Sequence, residues 1–471
     1  MNYKLILVSL TLFVIMCAVP ASSEHFTGGW ESAYDLSGFD EGRSVTHANN
    51  SIFVVGMSLD TYNACTYHLL KYDKDGTLLW DKKMPVKIWD RSYRNIAISS
   101  YNNSIILSYT DRTFYIARYD LDGNVLWNKK WGKENSVTDI AVDGQGNIFV
   151  IGFSHEKDTE KFHVLKYGIN GKTEWNTTLN GKGKGIDTYN QSIFVAGCEG
   201  NESRLFKIDS NGNVVWERSY GTGTIKDVAV GDVIYLLYSL NESISLIKCD
   251  KEGNAIWSEC YEKKSVAHSI IMDRNENAFI AGAAYNLSSK DYDYLILKYN
   301  KEGQLIEERG YNGGLEEGGW DLAVNKSIVV TGYSVITKII GIRSVIRDRD
   351  CYTIAYEMEN VPPVANFSWN PKKPVAKKEV KFTDMSYDVD GSIISWHWDF
   401  GDNTVSDVRE PTHTYKKDGF YSINLTVFDD GGAHHSIEKT LEVKEEEGIP
   451  GFEFAILLAA VSILLIKRKL D

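Results

Sequence analysis

The stretch RYDLDGNVLW, residues 118–127, admits two readings. Asp120 and Asp122, two apart before Gly123, begin as a calcium loop begins, and equally as a tight β-hairpin turn does ahead of a strand. Five further segments have the same form: KYDKDGTLLW (71–80), KYGINGKTEW (166–175), KIDSNGNVVW (207–216), KCDKEGNAIW (248–257) and KYNKEGQLIE (298–307). Across the six, the first acidic position reads Asp73, Asp120, Gly168, Asp209, Asp250 and Asn300, and the second Asp75, Asp122, Asn170, Asn211, Glu252 and Glu302. Only the glycine is constant: Gly76, Gly123, Gly171, Gly212, Gly253 and Gly303. A calcium loop needs several oxygen ligands and a closing bidentate carboxylate, whereas a turn needs one residue that tolerates positive φ. Ligands that come and go around a fixed glycine describe a turn.

The turns punctuate a longer repeat. Counted from Trp30, Trp80, Trp127, Trp175, Trp216 and Trp257, with Glu307 in the seventh place, the units are 41 to 53 residues long. Each holds an apolar segment such as DIAV (139–142), a run such as NIFVIG (147–152), a third strand such as FHVLKY (162–167), the glycine turn and the Trp strand. Four short strands per unit with no helical period predict an all-β fold, a β-propeller of seven blades over about residues 24–360, with six or eight as the alternatives since the seventh unit is long and irregular. The chain enters on a Trp strand and the seventh unit stops after CYTIAYE (351–357), so the N-terminal strand is expected to complete the last blade and hide its edge. Asp120, Gly123, Asn124 and Trp127, then Asp139, Ala141 and Val142, then Gly146, Asn147, Ile148 and Gly152 resemble the bacterial β-propeller repeat, and the Trp-bearing turn is similar to quinoprotein-type blades. The resemblance implies the fold; nothing in it specifies a quinone.

Pro362 and Pro363 mark a boundary, after which residues 361–447 alternate as short strands of an Ig-like sandwich. Trp398, Asp399, Phe400, Gly401 and Asp402, with His413 and Tyr415 later, resemble the PKD domain. That resemblance implies Trp398 in the core and Gly401 in a turn. Asp388 and Asp390 before Gly391 are a candidate cation pair, with a plain turn as the simpler reading.

Residues 1–23 carry a Lys, an apolar run from Leu5 to Val19 and small residues at Ala21, Ser22 and Ser23, the pattern of a secretory signal peptide. Residues 448–471 hold a short apolar run, Phe454–Ile466, closed by Lys467, Arg468 and Lys469, the pattern of a C-terminal membrane-anchoring helix. With Pro450, Gly451 and Phe452 before it, this tail resembles the PGF-CTERM sorting signal of archaeal surface proteins. The resemblance implies an archaeosortase-like processing enzyme and a lipid in place of the tail; the alternative is an uncleaved anchor. Both readings put the ectodomain outside the cell. Ten N-x-[ST] sequons, at Asn49, Asn102, Asn176, Asn190, Asn201, Asn241, Asn286, Asn325, Asn366 and Asn424, agree with a glycosylated surface. A net charge of −13 with no basic stripe outside the termini argues against nucleic-acid partners. Cys65 and Cys351 fall on corresponding strands of the first and last units, where a disulfide would latch the ring.

For function, the inner strand of each blade is the place to look. The residue ahead of its apolar core reads Ser44, Asn95, Asp139, Asp187, Asp227, Ser269 and Asp321, so four aspartates could ring the channel mouth and hold a ligand or a cation such as calcium. The competing reading gives each Asp a structural job at its strand end. No HExxH cluster, no G-x-S-x-G and no asymmetric carboxylate pair marks a catalytic centre. Trp89, Trp131 and Trp320 stand outside the repeated Trp position and are the aromatic candidates for stacking on sugars. The expectation is a surface-anchored binding or adhesion protein without catalysis, its partners envelope glycans or surface proteins. The alternatives are an extracellular polysaccharide-degrading enzyme with its site at the channel mouth, and a structural envelope component.

Overall fold

The computed structural model describes residues 26–445 apart from 36–38, 60–63, 89–94, 111–112, 133–134, 155–160, 241, 313–314, 326, 340–344, 359 and 389–391. Residues 1–23, where a signal peptide is expected, and residues 448–471, where an anchoring helix is expected, lie outside the described residues. Every regular element among the described residues is a strand, and none of them is a helix long and apolar enough to cross a membrane.

The strands form seven blades. Their inner strands are Phe39–Ala48, Ile96–Tyr101, Asn135–Val142, Lys182–Tyr189, Thr224–Val230, Ser265–Met272 and Glu317–Val324. Each is followed outward by three more antiparallel strands, as in the third blade, where Ile148–Ser154, Lys161–Tyr167 and Thr173–Asn180 come next. Each inner strand packs beside the inner strand of the following blade, and the seventh packs beside the first, so the ring closes. The second strands are continuous apolar runs because both of their faces are covered. Ile148 and Val150 pack toward the second blade, while Phe149 and Ile151 pack toward the fourth.

The glycine turns join blades as well as strands. Gly123 sits at φ +72° and its amide donates to the Asp120 carbonyl. The Asp120 carboxylate accepts the Asp122 and Asn124 amides at 3.0 and 2.8 Å, so the acidic groups that suggested a calcium loop hold the turn itself. A Cβ on Gly123 would meet the Trp80 ring of the preceding blade at 2.9 Å, and on Gly171 it would meet Trp127 at the same distance. The indole N–H of Trp127 donates to the Ile169 carbonyl in the next blade's turn at 2.9 Å, and that of Trp175 to the Ser210 carbonyl at 2.9 Å. The repeated Trp is therefore a clasp laid across the neighbouring turn. Glu307 takes its place on the sixth blade, where the seventh blade has no such turn to cover.

Closure follows the expected route. The N-terminal strand Phe26–Tyr34 pairs antiparallel with Val345–Met358 and supplies the outer strand of the seventh blade. Trp30 then clasps the first blade's turn as the other Trp residues do, its indole donating to the Lys74 carbonyl at 2.9 Å. A disulfide does not reinforce this seam. Cys65 and Cys351 are both buried and neither is disulfide-bonded, the first packed between blades one and two and the second between blades seven and one, with the first blade's own width separating them.

Beyond the ring, Phe367–Asn370, Glu379–Asp384 and Thr412–Thr414 form a three-stranded sheet. Val405–Ser406, Ile393–Asp399, Gly419–Asp429 and His434–Val443 form a four-stranded one, and the two enclose a separate core. Trp398 is fully buried there, its ring 5.1 Å from Phe367, and Gly401 sits in a turn at φ +74°.

Candidate functional site

The register of the inner strands fixes which residues share a level in the channel. Asp139 lies opposite Ile151, Asp227 opposite Leu237, Asp321 opposite Thr331, Ser44 opposite Val55 and Ser269 opposite Ala281, equivalent positions in their blades. In the fourth blade that position is Gly185, opposite Ala196, and Asp187 lies two residues further along. In the second blade it is Ala97, opposite Ser108, and Asn95 lies before the strand. The ring therefore holds three aspartates at one depth, with Asp187 below them and Asn95 outside it. Space explains the fourth blade: a Cβ at Gly185 would stand 2.8 Å from the Asp227 Cα and 2.3 Å from its Oδ1.

Each aspartate is a two-armed brace. One oxygen accepts the amide of the residue that follows it (Ile140, Thr188, Val228, Leu322), and the other accepts an amide of the next blade (Ile186, Val230, Ile270, Val45), all at 2.7–2.9 Å. Ser44 donates to Asp321 at 2.6 Å and its Oγ accepts the Ile98 amide, carrying the pattern from the seventh blade to the second. Burial nevertheless opposes their charge. It pushes Asp187 up to about 6 and Asp227 up to about 7. Asp139 is raised well above the usual carboxylate range by burial and then by the facing charges of Asp227 and Asp321.

Immediately before the ring level, six of the seven inner strands carry a β-bulge, and the second alone does not. The extra residues are Arg43, Thr138, Lys184, Lys226, His268 and Trp320. They lie at one level on successive blades, from the third round to the first. The Trp320 ring lies 4.1 Å from His268 and 4.6 Å from the Arg43 guanidinium. Burial, followed by the neighbouring Lys226 and Arg43, drives His268 down to about 3, and burial followed by Lys184 lowers Lys226. Sequence reasoning missed this arc apart from Trp320. Its signal was there: a charged or aromatic residue directly ahead of the ring position, breaking the alternation of an otherwise regular strand.

Among the described residues, one set of three carboxylates comes together closely enough to share an ion, and it is not in the channel. Asp35, Asp40 and Asp350 meet at the seam of the first and seventh blades, with one oxygen of each within 4.8 Å of the others, and all three take part in other polar interactions. In the sandwich, Asp388 is half-buried and engaged in other contacts, while Asp390 lies outside the described residues. Trp131 packs edge-on to His163 at 4.9 Å, and Trp89 lies outside the described residues. Of the sequons, Asn49, Asn102, Asn176, Asn190, Asn201 and Asn325 are exposed, and Asn241 lies outside the described residues. Asn286, Asn366 and Asn424 are half-buried; the Asn286 amide donates to Asp293 at 2.7 Å and Asn366 accepts from Lys439 at 2.8 Å.

A family model described as PKD domain matches residues 360–444. Over 88 residues the chain is 39% identical to Collagenase ColQ1 of Bacillus cereus, covering 18% of this chain and 9% of that protein. Over 92 residues it is 38% identical to the pre-pro-metalloprotease PrtV of Vibrio cholerae, covering 20% of this chain and 10% of that protein. The chain thus spans about a tenth of the length of these curated relatives. Among solved structures, the PKD1 domain of PrtV aligns at 38% identity and a TM-score of 0.17, covering 18% of this chain and 99% of that one. Virginiamycin B lyase from Staphylococcus aureus aligns at 10% identity and a TM-score of 0.48, covering 70% of this chain and 99% of that one. The C-terminal sandwich is a PKD domain, joined to an all-β ring of seven blades.

Proposed function

We propose that this chain is an extracellular binding protein whose propeller is the recognition module and whose PKD domain is a spacer or second contact surface. Its partners are envelope glycans or surface proteins, and its tail holds it at the cell surface. The observation that carries this reading is the use made of the channel carboxylates. Both oxygens of Asp139, Asp187, Asp227 and Asp321 are taken by backbone amides that brace blade to blade, which leaves none of these four aimed at a substrate. PKD modules shared with a collagenase and a metalloprotease agree with an extracellular setting.

One observation favours a second reading, a polysaccharide-degrading enzyme. Asp187 at about 6 and Asp227 at about 7 lie in the range where a carboxyl can act as a general acid. Incubating the full chain with envelope polysaccharide, followed by size-exclusion with mass detection, separates the two. Polysaccharide that co-elutes intact supports the binding module. Polysaccharide that shortens with time overturns it.

A further inference from the structure

The bulges on the inner strands place cations where the rest of the chain would be expected to neutralise them. Acidic residues outnumber basic ones by 13, and two more deeply buried lysines are paired: Lys166 with Glu174 at 2.9 Å and Lys248 with Glu276 at 2.7 Å. Lys184 and Lys226 have no carboxylate partner among the described residues, and the charge that bears most on Lys226 is that of Lys184. Arg43 shares Glu41 with Arg349, but its Nε is buried without a hydrogen-bond partner. The Trp320 Nε1 and Thr138 Oγ1 are likewise buried and unpartnered. Buried donors left unmade cost about 1–3 kcal/mol each, and three of them on one arc beside two unpaired ammonium groups are complementary to a ligand rich in acceptors and negative charge.

We infer that the channel mouth binds the oxyanion of an acidic sugar, a carboxylate or a sulfate ester, between Lys184, Lys226 and Arg43, with Thr138 and the Trp320 N–H as neutral donors. The sugar component rests on the binding-module reading; the requirement for an anion rests on the arc alone. The Asp139, Asp227 and Asp321 carboxylates at the next level stay bound to backbone amides and form the floor beneath the ligand. His268, its ring tilted against Trp320 at 4.1 Å, is held neutral first by burial and then by the charges of Lys226 and Arg43; an anion offsets the second cause and moves its titration to higher pH.

Isothermal titration of the full chain with tri-galacturonate, sulfated maltotriose and plain maltotriose tests this. The expected result is binding of one or both anionic trimers, no binding of the neutral one, and affinity that falls with added salt. Lys184→Gln with Lys226→Gln should weaken binding by about tenfold or more, since charge-assisted hydrogen bonds are lost. Lys226→Arg should keep it, as should Lys263→Gln on the exposed Lys263–Glu308 pair. With labelled histidine side chains, NMR should show the His268 titration moving to higher pH on saturation, which adhesion of a polyanion elsewhere would not produce. Undiminished binding in the double variant overturns the inference, as does absence of binding by both anions. Retained binding of neutral envelope polysaccharide in the size-exclusion experiment would then leave the binding-module reading standing without this site.

Discussion

At Gly123 the backbone lies at φ +72° and a methyl group would meet the Trp80 ring at 2.9 Å, so two independent constraints fall on one residue. Gly123→Ala should lower stability by about 1–3 kcal/mol, read from denaturant midpoints, and a fitting Trp80→Leu background should recover only the packing share. The same pair of constraints explains why the glycine persists while its acidic neighbours change. The channel aspartates make a prediction about pH. Their folded pKa values, about 6 for Asp187 and about 7 for Asp227, lie above the ordinary carboxylate value, so between about pH 4 and 7 the folded chain holds more protons than the unfolded one. Their contribution to stability is therefore greatest below about pH 4 and is lost as pH rises through 7. In Asp227→Asn, melting temperature measured across that window should depend less on pH, though the amide can brace only one of the two blades it now joins.

Among the elements, the N-terminal strand has the most to do for its length. Without Phe26–Tyr34, the strand Val345–Met358 becomes an open edge and the first blade's turn loses its Trp30 clasp. A chain starting after Tyr34 should melt at lower temperature and self-associate, which light scattering during thermal unfolding would detect. The inner strands show what an element adds to its residues. Their bulges turn Lys184, Lys226 and His268 into one arc although the three lie on separate blades. The third and fourth inner strands also differ by two residues in where they carry Asp, a shift that short apolar segments do not reveal and that the pairing of Gly185 with Ala196 settles.

At the scale of the molecule, the ring and the PKD sandwich have separate cores, and among the described residues no cluster of buried apolar side chains spans both. Two calorimetric transitions are expected. Trp398→Ala should cost the sandwich about 3–5 kcal/mol while leaving the propeller transition in place. Exposure sorts the sequons at the same scale. Peptide mapping after expression in a glycosylating host should find glycan at exposed sites such as Asn176 and Asn201, and none at Asn286, Asn366 or Asn424, whose side chains are half-buried.

The repeat of glycine and tryptophan determined the blade and the strand that closes it and favoured seven units over six or eight, because turn geometry and strand alternation are local properties that recur in register. The W-D-F-G-D motif likewise marked the sandwich and its core tryptophan. What the channel does with its residues is a matter of tertiary structure. Whether Asp139 faces a ligand or a neighbouring amide depends on a blade about 47 residues away, since Asp139 braces Ile186. Which residues share one depth depends on bulges that shift the register by a single position. Cys65, opposite Leu59, and Cys351, opposite Tyr333, lie on corresponding strands of the repeat yet face different interfaces, because the closed ring sets one blade's thickness between them. Periodicity is written along the chain, whereas convergence on a common axis exists only once the ring is closed.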